Sequence, residues 1–317
     1  MTRAVVFAYH NVGVRCLRVL LSHGVDVPLV VTHRDDPAED RWFASVMDTA
    51  AESGIPTRTP EDPNAPDFVR EVGALAPDFL FSFYYRTLLG APLLDAPRLG
   101  ALNMHGSLLP RYRGRAPVNW AVLNGERETG ATLHYMTAKA DAGDIVAQTA
   151  VPILRDDTAR EVFDKVTVAA EIALDGVLPA LVAGTAPRRP QDLSAGRYFG
   201  RRRAEDGAID WSRDATTIHN LVRAVAPPYP GAWTTVAGAP ARVLRTRVLD
   251  SSAPPAGDAV IEVRDGRLVA RCGGGGTLHV LALEIGGVPC DAPSLLARHG
   301  GKPVALGTPG GGLPAHV

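Results

Sequence analysis

Two residues at the end of an apolar segment carry the most informative chemistry in the sequence. In Asn103-Met104-His105-Gly106-Ser107, Asn103 and His105 are two positions apart, so on an extended segment both side chains point to one face. A histidine can accept a proton near neutral pH, and an asparagine amide can stabilise an oxyanion. A turn-capping asparagine beside a structural histidine has the same pattern, and spacing alone favours that plainer interpretation.

A second polar stretch, Lys139-Ala140-Asp141-Ala142-Gly143-Asp144, precedes an apolar segment. A carboxylate in such a loop could hydrogen-bond a histidine and hold its tautomer. By spacing alone Asp141 is more typical of a turn. Asp144 is the competing candidate for the same role.

Two further stretches have both a functional and a structural interpretation. Residues 108–117 contain three arginines and a tyrosine within five positions, which could bind an anionic substrate or form a solvated loop. Phe81-Ser82-Phe83-Tyr84-Tyr85-Arg86 could line a pocket for a flat ring, although core packing is commoner. The run Arg201-Arg202-Arg203 is most simply a solvated linker.

The composition is that of an ordinary globular protein. Of 317 residues, 46% are hydrophobic and 21% charged, which excludes a disordered or fibrous chain. No run of 18 apolar residues occurs, and the apolar part of the N-terminus is too short for a signal peptide. The balance of 33 basic and 34 acidic residues disfavours an extended nucleic-acid surface. Three cysteines without C-x-x-C spacing predict neither disulfides nor a thiolate zinc site, so we expect a cytoplasmic protein.

The elements that must position these side chains alternate between strands and helices over the first two-thirds of the chain. Continuous apolar strands between helices predict a parallel sheet covered on both faces. The patterns predict strands at residues 5–8, 27–31, 79–83, 99–104, 132–135 and 144–153, and helices at residues 14–21, 41–53, 66–75 and from 158 to about 181. Thr158 and Glu161 have capping-box spacing at the start of the last helix.

The final third of the sequence differs in composition and in the spacing of its apolar residues. Residues 183–203 are rich in Gly, Pro and Arg, which is typical of a linker. A short helix near residues 218–225 and several short strands follow, which predicts a small barrel or sandwich. The strands are expected at residues 233–236, 241–248, 259–263, 268–272 and 278–283, and the Gly/Pro-rich end from residue 307 is expected to be frayed.

Some common site motifs are absent. Tyr9-His10-Asn11-Val12-Gly13 follows the first strand where a dinucleotide fold would carry G-x-G-x-x-G. No P-loop, nucleophile elbow or zinc-protease motif occurs. We therefore expect no metal.

The first two polar stretches together resemble the signatures of the folate-dependent formyltransferases. Asn103-Met104-His105-Gly106-Ser107-Leu108-Leu109-Pro110, followed by Tyr112-Arg113-Gly114, is similar to the first signature, and Asp141-Ala142-Gly143-Asp144-Ile145 to the second, a D-x-G-x-I pattern. Residues 208–211 and 224–233 resemble the opening of the family's C-terminal domain. The resemblance implies an α/β fold: a Rossmann-like catalytic formyltransferase domain with its linker at residues 1–204, and a small OB-like β-barrel domain at residues 205–317.

Other segments resemble one branch of the family. Residues 6–10, 81–86, 114–120 and 199–202 are similar to the formyltransferase half of the bifunctional polymyxin-resistance proteins, the ArnA branch. That half formylates UDP-4-amino-4-deoxy-L-arabinose, a step in lipid A modification. Methionyl-tRNA formyltransferases usually carry a basic, Gly-rich insertion after the second strand, where this sequence has the acidic residues 32–40. This departure predicts that the protein binds no tRNA. The polymyxin-resistance proteins also carry a dehydrogenase half with a dinucleotide motif, which this sequence is too short to hold, so we expect a stand-alone sugar formyltransferase.

The resemblance also implies an activity and its residues. The formyl group of N10-formyltetrahydrofolate would pass to the amine of a nucleotide-linked aminosugar. His105 would move the proton, Asn103 would stabilise the oxyanion, and Asp141 would orient His105. The folate would contact Thr87, Leu88, Leu89, Arg115, Thr137, Ala138, Lys139, Ala140 and Asp141.

Three alternatives stay open at this point: a methionyl-tRNA formyltransferase, a folate-binding protein without catalysis, and a hydrolase that releases formate. We expect a nucleotide sugar as the partner, and neither tRNA nor a membrane. The sequence leaves the sugar, the nucleotide base and the oligomeric state open.

Overall fold

The computed structural model describes residues 1–34 and 42–307 of the chain. The chain divides into two compact units. The N-terminal unit comprises Met1–Pro117, Glu128–Pro152 and Phe163–Gly200, and the C-terminal unit comprises Val118–Arg127, Ile153–Val162 and Arg201–Val317. Assignment of catalysis to residues 1–204 stays a prediction.

A seven-stranded sheet forms the centre of the N-terminal unit, with strands in the order β3-β2-β1-β4-β5-β7-β8. The strands of this part of the chain are β1 Arg3–Ala8, β2 Asp26–Val31, β3 Thr57–Arg58, β4 Phe79–Phe83, β5 Gly100–His105, β6 Arg113–Gly114, β7 Glu128–Tyr135, β8 Ile145–Pro152 and β9 Tyr198–Phe199. The helices up to residue 182 are α1 His10–Ser22, α2 Val46–Glu52, α3 Pro66–Ala74, α4 Ala91–Leu94, α5 Pro117–Leu123 and α6 Ala159–Val182. All of α5 except Pro117, and the first turn of α6, are assigned to the C-terminal unit. The Rossmann-like α/β prediction is confirmed.

The continuous apolar runs form the centre of this sheet because both of its faces are covered. β4 is buried along its whole length, and Phe7, Phe79, Phe81 and Phe83 have no more than 2% of their surface exposed. Strands β1 to β5 pair in parallel, as predicted, whereas β7 runs antiparallel to both β5 and β8. An apolar run does not encode strand direction, and the short 136–144 connection allows β8 to return beside β7.

Helix boundaries follow capping groups more closely than apolar periodicity. The Ser45 hydroxyl accepts a hydrogen bond from the Asp48 N–H at 3.1 Å, so α2 begins at Val46 rather than at the predicted residue 41, which itself lies outside the described residues. The capping box of α6 is confirmed. The Thr158 N–H donates to Glu161 Oε2 at 2.7 Å, and the Glu161 N–H donates to Thr158 Oγ1 at 3.3 Å.

The predicted linker at residues 183–203 is tied to the N-terminal unit over much of its length. Arg189 exchanges two backbone hydrogen bonds with Ile145, at 2.8 and 2.9 Å, and β9 pairs with β6. We call residues 188–199 the strap. The prediction of a solvated linker is also wrong for Arg202, whose guanidinium lies 4.9 Å from the centre of the Trp120 ring and donates to the carbonyl of Asp206 at 2.9 Å.

The C-terminal unit contains a closed antiparallel barrel. Strands pair in the order β11-β10-β16-β12-β13-β14, and a second edge of β11 pairs with β14. The elements are α7 Ala215–Val225, β10 Ala232–Val236, β11 Ala239–Asp250, β12 Val260–Arg264, β13 Arg267–Arg271, β14 Thr277–Ile285, β15 Val288–Pro289, α8 Ala292–His299 and β16 Val304–Gly307.

The five strands predicted for this unit are present and form a small barrel, as expected. The sequence pattern predicts neither β16 nor α8. β16 has four residues and completes the barrel between β10 and β12. α8 follows its N-cap Asp291, which accepts the Ser294 N–H at 2.9 Å. Gly307, expected to be frayed, ends β16, and residues 308–317 lie outside the described part of the chain. In residues 1–34 and 42–307, every helix is too short or too polar to cross a bilayer.

Candidate active site

A cavity of about 350 Å³ lies at the carboxyl ends of β4 and β5, the edge at which open α/β sheets bind ligands. Its wall is built from the segment after β4, the end of β5, the β6 region, the end of β7 with its following loop, and one residue of the strap. The side chains that bear on the chemistry are Ser82, Tyr84, Tyr85, Arg86, Asn103, His105, Arg115, His134, Asp141 and Tyr198.

His105 is the last residue of β5, and only 7% of its side chain is exposed. Its Nε2 lies 2.8 Å from the carbonyl oxygen of Tyr112 and therefore carries the hydrogen and donates a hydrogen bond to that oxygen. That bond leaves Nδ1 as the proton-accepting nitrogen of the neutral ring. Nδ1 lies 3.5 Å from Oδ1 of Asp141. A proton taken up at Nδ1 would therefore face a carboxylate.

His134 is a second histidine of the site, and it was not among the residues predicted from the sequence. Its Nδ1 donates to the carbonyl of Tyr135 at 2.8 Å, which makes Nε2 an acceptor. Asn103 donates its amide Nδ2 to that Nε2 at 3.2 Å. Asn103 and His134 are direct partners across β5 and β7. A histidine in the predicted strand at 132–135 was a visible signal, but the strand pairing that places it beside Asn103 was not.

The carboxylate of Asp141 lies close to both histidines of the site. Its Oδ1 lies 3.5 Å from His105 Nδ1 and 3.6 Å from His134 Nε2, and its Oδ2 accepts the backbone N–H of Gly114 at 2.8 Å. Burial by itself raises the pKa of the Asp141 carboxyl. The positive charges that His105 and His134 carry when protonated, together with the Gly114 N–H, outweigh burial and hold that pKa well below its usual value. The carboxylate form is therefore strongly favoured.

The backbone at Asp141 has a left-handed conformation, with φ of +54°. Such a conformation costs a residue with a side chain about 1–3 kcal/mol and persists where surrounding contacts over-determine it. Gly114 also has positive φ, +99°, and a Cβ there would overlap the carbonyl oxygen of Phe199. The hydrogen bond between these two residues thus joins two constrained segments of backbone.

The residues expected to contact folate mostly converge on the cavity. Thr87, Leu88, Leu89, Arg115, Thr137, Ala138, Ala140 and Asp141 line it. Lys139 does not line it, and its carbonyl instead accepts a hydrogen bond from the Thr137 hydroxyl at 2.9 Å. Leu88 is 68% exposed, which leaves a large apolar surface at the rim.

The expected anion-binding cluster of three arginines and a tyrosine does not converge. Arg113 is buried and donates to the carbonyls of Leu193 and Gly196, both at 3.1 Å. Arg111 reaches Glu128 at 3.9 Å, and the Tyr112 ring packs on Phe199 instead of lining the cavity. The remaining member, Arg115, lines the cavity.

The aromatic stretch that begins within β4 and continues past its end divides between the two interpretations. Phe81 and Phe83 belong to the core, whereas Tyr84 and Tyr85 line the cavity.

Asp144, the competing carboxylate, lies 3.6 Å from Arg188 and does not line the cavity. Tyr198 was missed because it lies in the segment read as a linker. In residues 1–34 and 42–307, no group of three or more His, Cys, Asp or Glu side chains is placed to hold a metal ion.

Comparison with known proteins decides the family. The formyl transferase family model matches residues 13–178, and the model of the formyl transferase C-terminal domain matches residues 202–300. The chain belongs to the formyl transferase family. This formyltransferase is therefore an enzyme that transfers a one-carbon group.

Solved structures have the same fold as this formyltransferase. The N-formyltransferase of Helicobacter canadensis, in complex with folinic acid and dTDP-3-aminofucose, is 20% identical with a TM-score of 0.70, over 88% of this chain and 99% of that one. WlaRD, a sugar 3N-formyl transferase solved with dTDP and 5-N-formyl-THF, is 20% identical with a TM-score of 0.68, over 88% and 97%. A 4-N formyltransferase from Francisella tularensis is 20% identical with a TM-score of 0.60, over 73% and 91%.

Proposed function

We propose that this formyltransferase moves the formyl group of N10-formyltetrahydrofolate to the amine of a nucleotide-linked aminosugar. The observation that carries the proposal is the convergence of Asn103, His105 and Asp141 on the wall of one cavity. The proposal also draws on two similar structures, whose descriptions name a folate derivative together with dTDP or a dTDP-linked aminosugar.

His105 is the group that moves protons in this proposal. An amine that attacks a formyl carbon must lose a proton, and the departing folate nitrogen must gain one. Nδ1 of His105 accepts the first proton, the carboxylate of Asp141 stabilises the imidazolium at 3.5 Å, and Nδ1 then returns a proton to the leaving nitrogen. The bond from Nε2 to the Tyr112 carbonyl fixes the ring in the tautomer that this role requires.

Asn103 stabilises the charge that develops on the formyl oxygen. A carboxamide has two N–H groups, and one of them donates to His134 Nε2 at 3.2 Å. This bond sets the orientation of the amide, so that the other N–H is pre-positioned for the oxygen. Pre-positioned donors are effective because they need little reorganisation during the reaction.

In this proposal the formyl donor, N10-formyltetrahydrofolate, lies against the loop of Thr87, Leu88 and Leu89 and the segment 137–141, with Arg115 nearby. A cavity of about 350 Å³ is in the size range of small-molecule sites. Loop backbone offers the donors and acceptors that a flat pterin ring requires. All the lining residues fall between Ser82 and Tyr198, which supports a catalytic domain at residues 1–204 and an OB-like domain at residues 205–317.

For the acceptor we propose UDP-4-amino-4-deoxy-L-arabinose first, on the resemblance of residues 81–86 and 114–120 to the ArnA branch. This substrate would place the enzyme in lipid A modification. The test is a formyl-transfer assay with N10-formyltetrahydrofolate and a panel of UDP- and dTDP-linked 3-amino and 4-amino sugars, with mass detection of the formamide. Formylation of the UDP-linked 4-amino sugar above the others supports the proposal. Preference for a dTDP-linked sugar retains the reaction and changes the acceptor.

A further inference from the structure

The strap contributes one side chain that reaches the loop of Asp141. Nε2 of Gln191 donates to the carbonyl oxygens of both Asp141 and Gly143, at 3.2 and 2.6 Å. Both acceptors are carbonyls, so the NH₂ end of the amide must face them and the orientation of Gln191 is determined by chemistry. The two bonds cross 50 and 48 residues of sequence and connect the strap to the polar loop.

These bonds act on a segment that needs external support. Asp141 holds φ at +54°, and its side chain is held from one side by the Gly114 N–H. Gln191 holds the main-chain oxygen of the same residue. At Gly143 the backbone passes so close to the carbonyl of Tyr135 that a Cβ would overlap it. The position of the Asp141 carboxylate therefore depends on backbone contacts on both sides of the loop.

Packing alone does not account for a glutamine at this position. Within the described part of the chain, Oε1 of Gln191 is buried without a hydrogen-bond partner. An unpaired buried acceptor is unfavourable, and an apolar side chain of the same length would avoid it. The two bonds from Nε2 are the contacts that an apolar side chain would lose.

We propose that Gln191 is a positioning residue for catalysis, which holds the loop so that the carboxylate of Asp141 faces His105. This inference rests on the proposed function, because it takes Asp141 as the partner of the proton-moving histidine. Gln191 itself is not among the residues that line the cavity. Its effect therefore passes through Asp141.

The test is a double-mutant cycle of Gln191→Met and Asp141→Asn. If Gln191 acts through Asp141, Gln191→Met lowers kcat about tenfold, on the order of the net effect of losing the two hydrogen bonds from Nε2, and changes KM for folate less than about twofold. In the Asp141→Asn background the same substitution lowers kcat by less than about twofold. Gln191→Glu lowers kcat further than Gln191→Met, because a carboxylate would face two carbonyl oxygens.

Gln148→Met is the matched control. Gln148 is also part-buried, and its Nε2 donates to the Leu109 carbonyl at 2.8 Å and the Thr132 hydroxyl at 3.0 Å, away from the Asp141 loop. Its effect on kcat should multiply with that of Asp141→Asn. Equal factors for Gln191→Met in both backgrounds would overturn the proposal. A loss expressed only in KM would overturn it as well.

Urea unfolding of the same four proteins of the Gln191/Asp141 cycle gives a readout that needs no substrate. The unfolding free energies should be non-additive, because a relaxed loop weakens the contacts of the Asp141 carboxylate. If the wild-type enzyme formylates none of the sugars, the proposed function fails, and this cycle still decides whether Gln191 holds the loop of Asp141. Additive free energies would overturn the inference even in an active enzyme. Should Gln191→Met fail to fold, Gln191→Asn, which keeps the amide one methylene shorter, takes its place in both cycles.

Discussion

The backbone N–H of Gly114 donates to Oδ2 of Asp141 at 2.8 Å, and this bond leaves Oδ1 to face His105 and His134. The carboxylate thus has one oxygen held by the main chain and one directed at two imidazoles. An arrangement in which the main chain fixes the carboxylate keeps the second oxygen in place while a proton moves at His105. The backbone of Gly114 therefore takes part in positioning the Asp141 carboxylate.

Gly114→Ala should destabilise the protein and lower turnover. Alanine would be strained at φ of +99°, and its Cβ would overlap the Phe199 carbonyl. We expect a loss of at least about 2 kcal/mol in unfolding free energy, since left-handed backbone alone costs about 1–2 kcal/mol. Urea unfolding measures it. Gly24→Ala is the control, because Gly24 has φ of +71° with open space around it, and should lose only the backbone term. Equal losses would contradict the steric argument.

His105→Ala should nearly abolish turnover while the protein remains folded. General acid–base catalysis contributes about 10²–10⁴-fold. His134, the other imidazole near Asp141, has its Nε2 engaged by the Asn103 amide, so we expect it not to replace His105. Single-turnover kinetics and circular dichroism on the purified variant measure both properties. Turnover within about twofold of the wild type would remove His105 from its role.

Asn103→Ala should lower kcat about 10²–10³-fold if its amide stabilises the developing oxyanion. Truncation also removes the N–H that donates to His134 Nε2. Steady-state kinetics with varied folate separate the two parameters. A change confined to KM would make Asn103 a binding residue instead.

The stabilising effect of the Asp141 carboxylate should disappear in acid. Its pKa is depressed in the folded state, so the ionised group stabilises the protein above the unfolded value near 3.8. That stabilisation is lost as pH falls through the lower, folded pKa. The difference in unfolding free energy between wild type and Asp141→Asn should therefore be constant from pH 7 to about 5 and shrink below pH 3.8.

Turnover gives an independent check on Asp141. Asp141→Asn should lower kcat, because the amide supplies no charge to the imidazolium. Asp144→Asn, which alters a side chain that faces Arg188 outside the cavity, should lower it much less. The reverse order would show that the wrong carboxylate has been assigned.

His33 should make the protein sensitive to mild acid. Burial and then the charge of Arg86 lower the pKa of His33 to about 4, and its Nε2 accepts the Arg86 N–H at 3.0 Å. A histidine that stays neutral when folded contributes stability that is present above pH 6.5 and is lost as pH falls toward 4. Wild type should lose stability relative to His33→Gln across that window in urea unfolding. Unfolding free energies of wild type and His33→Gln that change in parallel with pH would contradict the lowered pKa of His33.

Local sequence patterns predicted the elements that bury apolar runs or carry capping groups. β4 and the capping box of Thr158 and Glu161 are cases in which the signal and its structural cause lie within a few residues. The direction of β7 and the short strand β16 depend on partners far along the chain, so no local pattern encodes them.

The same distinction holds for the site. Asn103, His105 and Asp141 were predicted as a set, and they lie together. His134 and Gln191 were not predicted, because each is recognised only through its partner: Asn103 across two strands, and Asp141 at a separation of 50 residues. The arginines of residues 111–115 are close in sequence, but their side chains point to different places, since Arg113 donates a hydrogen bond to the carbonyl of Leu193 in the strap.

The central claim, formyl transfer from folate to a nucleotide-linked amine, is tested most directly by one assay. Wild type and His105→Ala are incubated with N10-formyltetrahydrofolate and the UDP- and dTDP-linked aminosugar panel, with initiator methionyl-tRNA as a parallel acceptor, and the formylated product and free formate are quantified. We expect the wild type to form a formamide on a nucleotide sugar and His105→Ala to form almost none. Formylation of the tRNA alone, release of formate without transfer, or no consumption of the folate would each contradict the claim.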